Sequence, residues 1–441
     1  MEPIRLTAAV INRRKLLGLS ALALAASALP ASAASDPRHE LLSWYRLVLE
    51  LVRHTPTYSP PVASRTLAYL GVTAYQAVAS CDPKMTTLAE QLTGLSPLPA
   101  PDESPHGCSV ILNAALTRVV AHFFANTGPA GQRAMAAAAR ALAKTAQTGV
   151  TQDVAARSTA LGLAIGNHVI QWSQGDGGAE VKNMGFPLAY TLTPGPEHWV
   201  PTSLIAQQQT PLLPDWGLNR PFAMPVGACR LPPPLTYSEV EGSDFFAEAQ
   251  EVVAVSKSLT TEQDAIARFW SDDAMLSSTP PGHWISIAIT VLKRDDLDLA
   301  RSVDALARLG IGLADAFIAC WAAKYEHDLV RPVTYIRRVI DKDWTPTLIT
   351  PPFPEYPSGH STQSAAAAEV LTALFGDGVA FIDDTHSDDG LGVRHFASFR
   401  AAAEEAAVSR LYGGIHFRAA IERGMAQGRC TAAHTNALRT L

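Results

Sequence analysis

Three short blocks in the last third of the chain hold the side chains whose types and spacing are best suited to chemistry. Each block places lysine, arginine or histidine beside turn-forming residues, in the ranges 324–332, 353–360 and 409–416. Arginine offers a planar fork of N–H donors and lysine a point charge, a combination suited to phosphate-like oxyanions. Taken together, the blocks predict one cationic pocket for a multiply charged anion.

The first block contains Lys324 and Arg331, seven positions apart. On one continuous helix this spacing returns to nearly the same face after two turns, so both cations are expected to point the same way. The alternative interpretation is that both are solvated surface groups, paired with Glu326 or Asp328.

The second block ends in Pro357-Ser358-Gly359-His360, which is turn chemistry at the start of a helix. Free backbone N–H groups and the helix dipole attract an anion at such a position. Ser358 can add a hydroxyl, Gly359 permits a close backbone approach, and His360 can donate or accept a proton near neutral pH. The alternative is a plain N-cap at Ser358 with a solvated His360.

The third block contains Arg410, the Gly413-Gly414 break and His416. A helix that ends near Leu411 and a new helix that opens at His416 would bring both side chains to one pocket. A neutral imidazole nitrogen is a good metal ligand and a good nucleophile toward phosphorus. Alternatively, His416 is a core or capping histidine.

The order and gaps of these motifs, Lys-x6-Arg-Pro, Pro-Ser-Gly-His and Ser-Arg-x5-His, resemble the superfamily shared by vanadium haloperoxidases and type 2 phosphatidic acid phosphatases. The motifs cover residues 324–416, and the helical organisation of about 240–440 resembles the family's catalytic bundle. The first half carries no motif. The resemblance implies an all-α fold of two consecutive helical bundles and a vanadate cofactor, whose site phosphate or sulfate can also occupy.

The resemblance also implies a role for each motif residue. One set would hold the equatorial oxygens of vanadate: Lys324, Arg331, Ser358, Gly359 and Arg410. His416 would be the axial ligand of the metal, and His360 the acid–base group for hydrogen peroxide. Lys324 would polarise the bound peroxide, which a halide attacks to give hypohalous acid. Vanadium is not reduced in this cycle, so the protein needs only to bind, orient and supply positive charge.

The motifs alone do not distinguish a haloperoxidase from a phosphatase of the same superfamily, so the residues around the pocket must do so. Trp321 and Phe353 resemble in position the aromatic residues that line the halide pocket of vanadium chloroperoxidases, although a helical tryptophan is more often core. Ser361 can contact a halide or cap its helix. With phosphate in the pocket, His416 would act as nucleophile and His360 as the acid, which makes an exported acid phosphatase the alternative function. An oxyanion-binding protein without turnover is a third interpretation.

One departure from the family pattern concerns the last histidine. Many superfamily members place an acid four positions after it to orient the imidazole, but here that position is Ala420. An orienting partner normally fixes the tautomer of such a histidine. The sequence offers four substitutes: Asp272, Asp273, Glu404 and Glu405.

The segments around the blocks predict a helical scaffold. Apolar residues recur at three- and four-residue spacing through about 37–175 and again from about 238 onward, and β-branched alternation is nearly absent. We expect four parts: a signal peptide (1–34), an N-terminal helical bundle (35–175), an irregular Pro-rich crossover (176–240) and a C-terminal catalytic bundle (241–441).

The first 34 residues are typical of an export signal. Arg13-Arg14 precede an apolar run and the small-residue pattern Pro30-Ala31-Ser32-Ala33, which indicates a cleavage site. The paired arginines favour the twin-arginine route to the periplasm or the exterior, and an uncleaved anchor is the alternative. No later stretch of about 18 apolar residues is free of charge, so no membrane span is expected in the mature chain.

Composition narrows the class of partner. The 441 residues carry a net charge of −6, with 47% hydrophobic and 17% charged residues, as in soluble globular proteins. This balance argues against nucleic acid or an anionic membrane as the main partner. The family resemblance implies small-molecule partners, namely a halide and hydrogen peroxide; an organic acceptor and the oligomeric state are left open.

Other possible metal sites and the cysteines carry weaker signals. The five cysteines are an odd number with no CxxC pair, which argues against zinc bound by cysteine and allows at most two disulfides, with Cys81 and Cys108 nearest in sequence. An acidic run at 383–389 could bind calcium, but its spacing does not match an EF-hand and a solvated loop is favoured.

Overall fold

The computed structural model describes residues 36–179, 190–202 and 210–441; the predicted signal peptide at 1–34 lies outside these ranges. Within them are thirteen α-helices and one two-stranded hairpin, so the predicted all-α class is confirmed. The helices of the first half are α1 (Pro37–His54), α2 (Pro60–Ala79), α3 (Cys108–Phe123), α4 (Pro129–Ala146) and α5 (Gln152–Gln174).

The second half contains eight helices and the hairpin. The helices are α6 (Asp244–Lys257), α7 (Thr261–Phe269), α8 (Thr279–Arg294), α9 (Leu299–His327), α10 (Pro332–Val339), α11 (Gly359–Phe375), α12 (Phe399–Tyr412) and α13 (Arg418–Asn436). Strands β1 (Phe381–Asp383) and β2 (Arg394–Phe396) pair antiparallel between α11 and α12.

Local capping chemistry sets where helices begin, as at α7. Thr260 is the N-cap of this helix. Its hydroxyl accepts a hydrogen bond from the Gln263 amide, and the Gln263 side chain accepts one from the Thr260 amide. This reciprocal pair satisfies two backbone donors that a helix start otherwise leaves free.

The long helix α9 forms the axis of the molecule. It packs along α2 from the first half and α11 from the second. Its approach to α2 is close: a Cβ on Gly71 would lie 2.7 Å from the Ala307 Cα, and one on Gly310 would lie 2.8 Å from the Leu67 carbonyl oxygen. One hydrophobic core includes residues of both halves. The division into two consecutive bundles therefore stays a prediction.

Helix α9 is also, among the described residues, the one helix long and apolar enough to span a membrane. Its most apolar stretch is 89% buried inside the protein. Such burial is typical of the central helix of a folded domain.

The crossover lacks α-helix in its described parts, and aromatic side chains anchor it. Trp199, Trp216 and Phe222 are buried, as their size predicts. The buried Asp315 of α9 accepts hydrogen bonds from three consecutive backbone amides that begin at Phe222. Because this backbone forms no regular secondary structure, its amides need acceptors elsewhere, and the Asp315 carboxylate supplies them.

Two disulfides tie loops to helices. Cys81–Cys108 joins the end of α2 to the start of α3, and Cys229–Cys430 joins the crossover to α13. Cys320 is a free, buried thiol on α9. The first pair is the one that is nearest in sequence; the second spans 201 residues, and spacing alone does not indicate it.

Candidate active site

The last turn of α9 positions Lys324 beneath the second sequence block. The side chain is fully buried, and its Nζ donates to the carbonyl oxygens of Pro354 (2.9 Å), Glu355 (3.1 Å) and Pro357 (2.5 Å). Burial lowers the pKa of Lys324 to about 7. The ammonium group is therefore a poorly solvated charge, held by carbonyl dipoles that carry no full negative charge.

Arg331 does not lie on the same helix as Lys324, so the prediction of a shared helix face was wrong. Helix α9 ends at His327, Asp328 adopts a left-handed conformation (φ 46°, ψ 38°), and Arg331 is the N-cap of α10. Its Nε donates to the Phe353 carbonyl oxygen at 2.9 Å, so both cations nevertheless contact the second block. Both are fully buried, which excludes the interpretation as solvated surface groups.

Ser358 is the N-cap of α11, the position that the alternative interpretation of the second block gives it. Its Oγ accepts hydrogen bonds from the Ser361 amide (3.3 Å) and the Ser361 hydroxyl (2.8 Å). Gly359 is the first residue of the helix. The cap uses the lone pairs of the Ser358 hydroxyl, which leaves its hydrogen available to another acceptor.

His360 follows on the first turn of α11, and its Nε2 is buried without a hydrogen-bond partner. The imidazole also makes a hydrogen bond to the Trp270 backbone. Burial, aided by the nearby Arg410 guanidinium, lowers the pKa of His360 well below its usual value. His360 is therefore neutral at neutral pH.

The third block brings Arg410 and His416 into the interior from either side of a glycine turn. Helix α12 ends at Tyr412, and Gly414 has a positive φ of 71°. The next helix begins at Arg418, two residues later than predicted. Arg410 is buried; its Nε donates to the Ser409 hydroxyl (2.9 Å) and a terminal nitrogen donates to the Ala267 carbonyl oxygen (3.1 Å).

His416 lies between a cation and a carboxylate. Its Nδ1 is 2.8 Å from Glu355 Oε1, and its Nε2 is 3.1 Å from an Arg331 terminal nitrogen. The carboxylate requires a hydrogen on Nδ1, and the guanidinium requires a lone pair on Nε2. Burial first, and then Arg331, hold the pKa of His416 well below its usual value. These contacts fix the neutral tautomer whose Nε2 can bind a metal.

Glu355 is therefore the acid that orients His416, and none of the four substitutes taken from the sequence does so. Glu355 Oε1 also accepts a hydrogen bond from the Phe417 amide at 2.9 Å. Ala420 contributes only its carbonyl oxygen, to the Ser358 amide. A signal was present in the sequence: Glu355 is an acid flanked by prolines and aromatics inside the second block, where a solvated acid is not expected.

The four acids suggested by the sequence lie elsewhere. Asp272 accepts hydrogen bonds from two histidines, and Glu405 accepts them from Arg394 and Trp270. Glu404 is exposed. Asp273 acts on Arg410 through its charge, and burial raises the pKa of its carboxyl group.

The site holds more positive than negative charge. Lys324, Arg331 and Arg410 are buried, and burial lowers the pKa of each arginine to about 10. Burial also raises the pKa of Glu355 to about 7, against the opposing effect of Arg331. A buried charge is costly unless it is paired. One terminal nitrogen of Arg331 is a buried donor without a partner. The arrangement fits a multiply charged oxyanion.

The two aromatic residues predicted for a halide pocket pack against these cations. The Trp321 and Phe353 ring centroids are 5.0 Å apart, and Lys324 Nζ lies 5.0 Å from the Phe353 centroid. Arg331 lies over the same ring at 4.9 Å. Ser361 is fully buried and bonded to Ser358. The structure brings these residues beside the cations, and their contact with a halide stays a prediction.

Comparisons with known proteins match this architecture. A family model described as the VCPO second helical-bundle domain matches residues 304–440. The chain is similar to the solved structure of a bacterial vanadium-dependent iodoperoxidase, with 36% identity, a TM-score of 0.83, and coverage of 94% of this chain and 98% of that one.

Two further comparisons are more distant. A holo-type bacterial vanadium-dependent chloroperoxidase shares the fold at a TM-score of 0.67 and 17% identity, with 88% of this chain and 94% of that one covered. The vanadium chloroperoxidase of Curvularia inaequalis is 26% identical over 220 residues, which cover 35% of this chain. The chain spans about a third (36%) of the length of that curated relative.

Replacing Glu355 tests the orientation of His416. We expect Glu355→Ala to weaken orthovanadate binding by about 10- to 100-fold, because His416 loses the acceptor that fixes its tautomer. Isothermal titration calorimetry measures the affinity. The matched control is Glu404→Ala, which removes an exposed acid. Equal affinities for the two variants would contradict the assigned role.

The lowered pKa of Lys324 predicts a pH dependence of stability without added oxyanion. Its pKa is about 7 in the folded chain, below the ordinary 10.5, so the unfolded chain binds more protons between these values. Stability contributed by this group therefore rises with pH across that window. Lys324→Met should remove the rise, measured as free energy of unfolding by chemical denaturation at several pH values. Parallel pH profiles for the two proteins would contradict the burial argument.

Proposed function

The chain belongs to the vanadium-dependent haloperoxidase family, and we propose that it is an enzyme that uses vanadate and hydrogen peroxide to oxidise a halide to hypohalous acid. The single observation that carries the proposal is the contact chain Glu355–His416–Arg331, which leaves a lone pair on a buried Nε2 beside cations. A fold alone does not assign an activity, so the argument rests on this site.

The residues present fit vanadate. His416 Nε2 would ligate the metal, and the cations of all three blocks would hold its oxygens, together with the Ser358 hydroxyl and the Gly359 amide. The unpartnered Arg331 nitrogen is a buried donor that a bound oxyanion would satisfy, and the unpartnered His360 Nε2 would accept a hydrogen bond from a protonated oxygen of that anion. When bound, vanadate supplies a Lewis-acid centre that activates hydrogen peroxide without a change in its own oxidation state.

His360 would be the group that transfers protons. Its Nε2 has no hydrogen-bond partner, so this nitrogen is free to accept a proton from hydrogen peroxide and to return it to a leaving oxygen. The lowered pKa keeps this nitrogen unprotonated before peroxide enters. Lys324, fixed by three carbonyl oxygens, supplies a preorganised positive charge for the electrons that the peroxide oxygen gains.

The halide would approach beside Trp321 and Phe353. Ser361, in the first turn of α11, would lie on the same side of the pocket. Lys324 Nζ lies 5.9 Å from the Trp321 ring centroid and 5.0 Å from that of Phe353, so an anion beside these rings would lie close to Lys324. Low hydration strengthens the attraction between a halide and this charge. This pocket determines which halide is oxidised in our proposal.

The same histidine pair also suits phosphate-ester hydrolysis, with Nε2 of His416 as nucleophile and His360 as the acid. The specific observation that favours this second candidate is Glu355, which would stabilise a charged imidazole as well as orient a ligand. Orthovanadate would be a cofactor of the haloperoxidase but an inhibitor of the phosphatase, so assays with and without it distinguish the two functions.

We also propose that the enzyme acts outside the cytoplasm. The two disulfides are typical of an oxidising compartment, and the predicted twin-arginine signal at 1–34 would deliver the chain there already folded. We also propose that the chain is divided into two helical bundles, at 35–175 and 241–441, which the crossover at 176–240 joins.

A paired assay of the purified apo-protein tests the function. We expect iodide or bromide oxidation by hydrogen peroxide to depend on added orthovanadate, and His416→Ala to lower the rate by about 100-fold or more because it removes the side chain that would ligate vanadate. The control is His39→Ala, an exposed histidine on α1, which should keep the wild-type rate.

Each other outcome has a distinct meaning. Hydrolysis of p-nitrophenyl phosphate that orthovanadate inhibits would support the phosphatase instead. Orthovanadate binding without turnover in either assay would support a binding protein. Oxidation that is equal without vanadate, or that survives in His416→Ala, would refute the haloperoxidase proposal.

A further inference from the structure

A second cluster of ligand-type side chains lies outside the vanadate pocket. Asp272, His283 and His386 are all buried. They come from three separate segments: the loop after α7, the first half of α8, and the loop between β1 and β2. The function proposed above uses none of them.

The three side chains converge on one point. Asp272 Oδ2 lies 2.9 Å from His283 Nδ1, and Asp272 Oδ1 lies 2.9 Å from His386 Nε2. One ligand atom from each residue falls within 4.8 Å of the other two. Two imidazole nitrogens and a carboxylate are a donor set that suits zinc and neighbouring transition metals.

The opposite nitrogen of each histidine contacts a different carboxylate. His283 Nε2 lies 2.8 Å from Asp383 Oδ2, and His386 Nδ1 lies 3.1 Å from Asp389 Oδ2. Histidines that ligate a metal nearly always donate their other N–H to a carboxylate or carbonyl, which fixes the ring and leaves the ligand nitrogen deprotonated. Both histidines here show that arrangement, from two independent carboxylates.

We propose that Asp272, His283 and His386 bind one structural divalent transition-metal ion, with zinc the best match to the donors. Water would complete the coordination. The ion would be distinct from vanadate and would take no part in the reaction with peroxide. Asp383 and Asp389 would orient the two ligand imidazoles. The acidic run at 383–389 would thus serve a metal site as outer carboxylates rather than as calcium ligands.

Charge balance within the cluster permits such an ion. Three carboxylates, those of Asp272, Asp383 and Asp389, contact the two histidines, and Arg53 pairs with Asp389 at 2.6 Å. A divalent cation with two neutral imidazoles would neutralise the remaining negative charge. Two protonated imidazoles would neutralise this charge equally well, so protons compete with the metal ion for the site. Burial lowers the pKa of His283, but Asp272 and Asp383 outweigh it and raise the pKa to about 10.

The position of the cluster gives the ion a structural role. The Trp270 ring stacks on the His283 ring at 4.5 Å between centroids and 17° between planes. The Trp270 backbone in turn bonds His360. A metal that joins the three segments would therefore rigidify the wall that carries the acid–base histidine.

Metal analysis of the full-length mature protein tests the inference. After zinc loading and desalting, we expect about one zinc per chain by elemental analysis, and a chelator should remove it and lower the melting temperature. Cobalt(II) in its place should give visible d–d absorption typical of mixed nitrogen and oxygen ligands. His386→Gln should lose both signals. The matched control, His395→Gln, changes an exposed histidine on the adjacent strand β2 and should retain them.

Wild-type protein alone is sufficient to overturn the inference, even if His386→Gln fails to fold. Zinc-loaded wild type that retains no metal and shows no cobalt absorption would mean that both imidazoles are protonated ion-pair partners. Retention of zinc by a folded His386→Gln would place the ion elsewhere. None of these readouts uses vanadate or peroxide, so they are independent of whether the haloperoxidase proposal holds.

Discussion

Burial of three cations around a neutral histidine is the constraint on which the rest of this site depends. Desolvating a guanidinium or ammonium group is costly, and carbonyl dipoles offset only part of that cost. Glu355 supplies one carboxylate, and it is committed to His416 and to a backbone amide. The pocket is therefore short of negative charge, and a multiply charged oxyanion is the ligand that corrects the imbalance.

The fold meets this constraint by bringing three chain segments to the end of one buried helix. Helix α9 carries Lys324 inward, and the left-handed turn at Asp328 redirects the chain so that Arg331 approaches from the next helix. The start of α11 provides amides and a hydroxyl, and the glycine turn after α12 returns His416 to the same place. Because each segment is anchored in one of two hydrophobic cores, the side chains are positioned before any ligand binds.

The sequence predicts the helical class and the motif residues because both depend on local patterns. It predicts their contacts less well. Lys324 and Arg331 lie on different helices because Asp328 takes a conformation that spacing alone does not indicate. Glu355 was missed because it lies 61 positions from His416, and the pairing exists only after folding. The cluster of Asp272, His283 and His386 was missed for the same reason, since Asp272 contacts His386 across 114 positions.

The most direct test of the central claim is a crystal structure of the protein soaked with orthovanadate, with anomalous diffraction used to locate vanadium. We predict a single strong vanadium peak bonded to His416 Nε2, with the vanadate oxygens in contact with Lys324, Arg331 and Arg410. The contact between Arg331 and His416 Nε2 should be broken. Vanadium bound elsewhere, or a soaked crystal in which Arg331 still donates to His416 Nε2 and the pocket holds no anion, would contradict the claim.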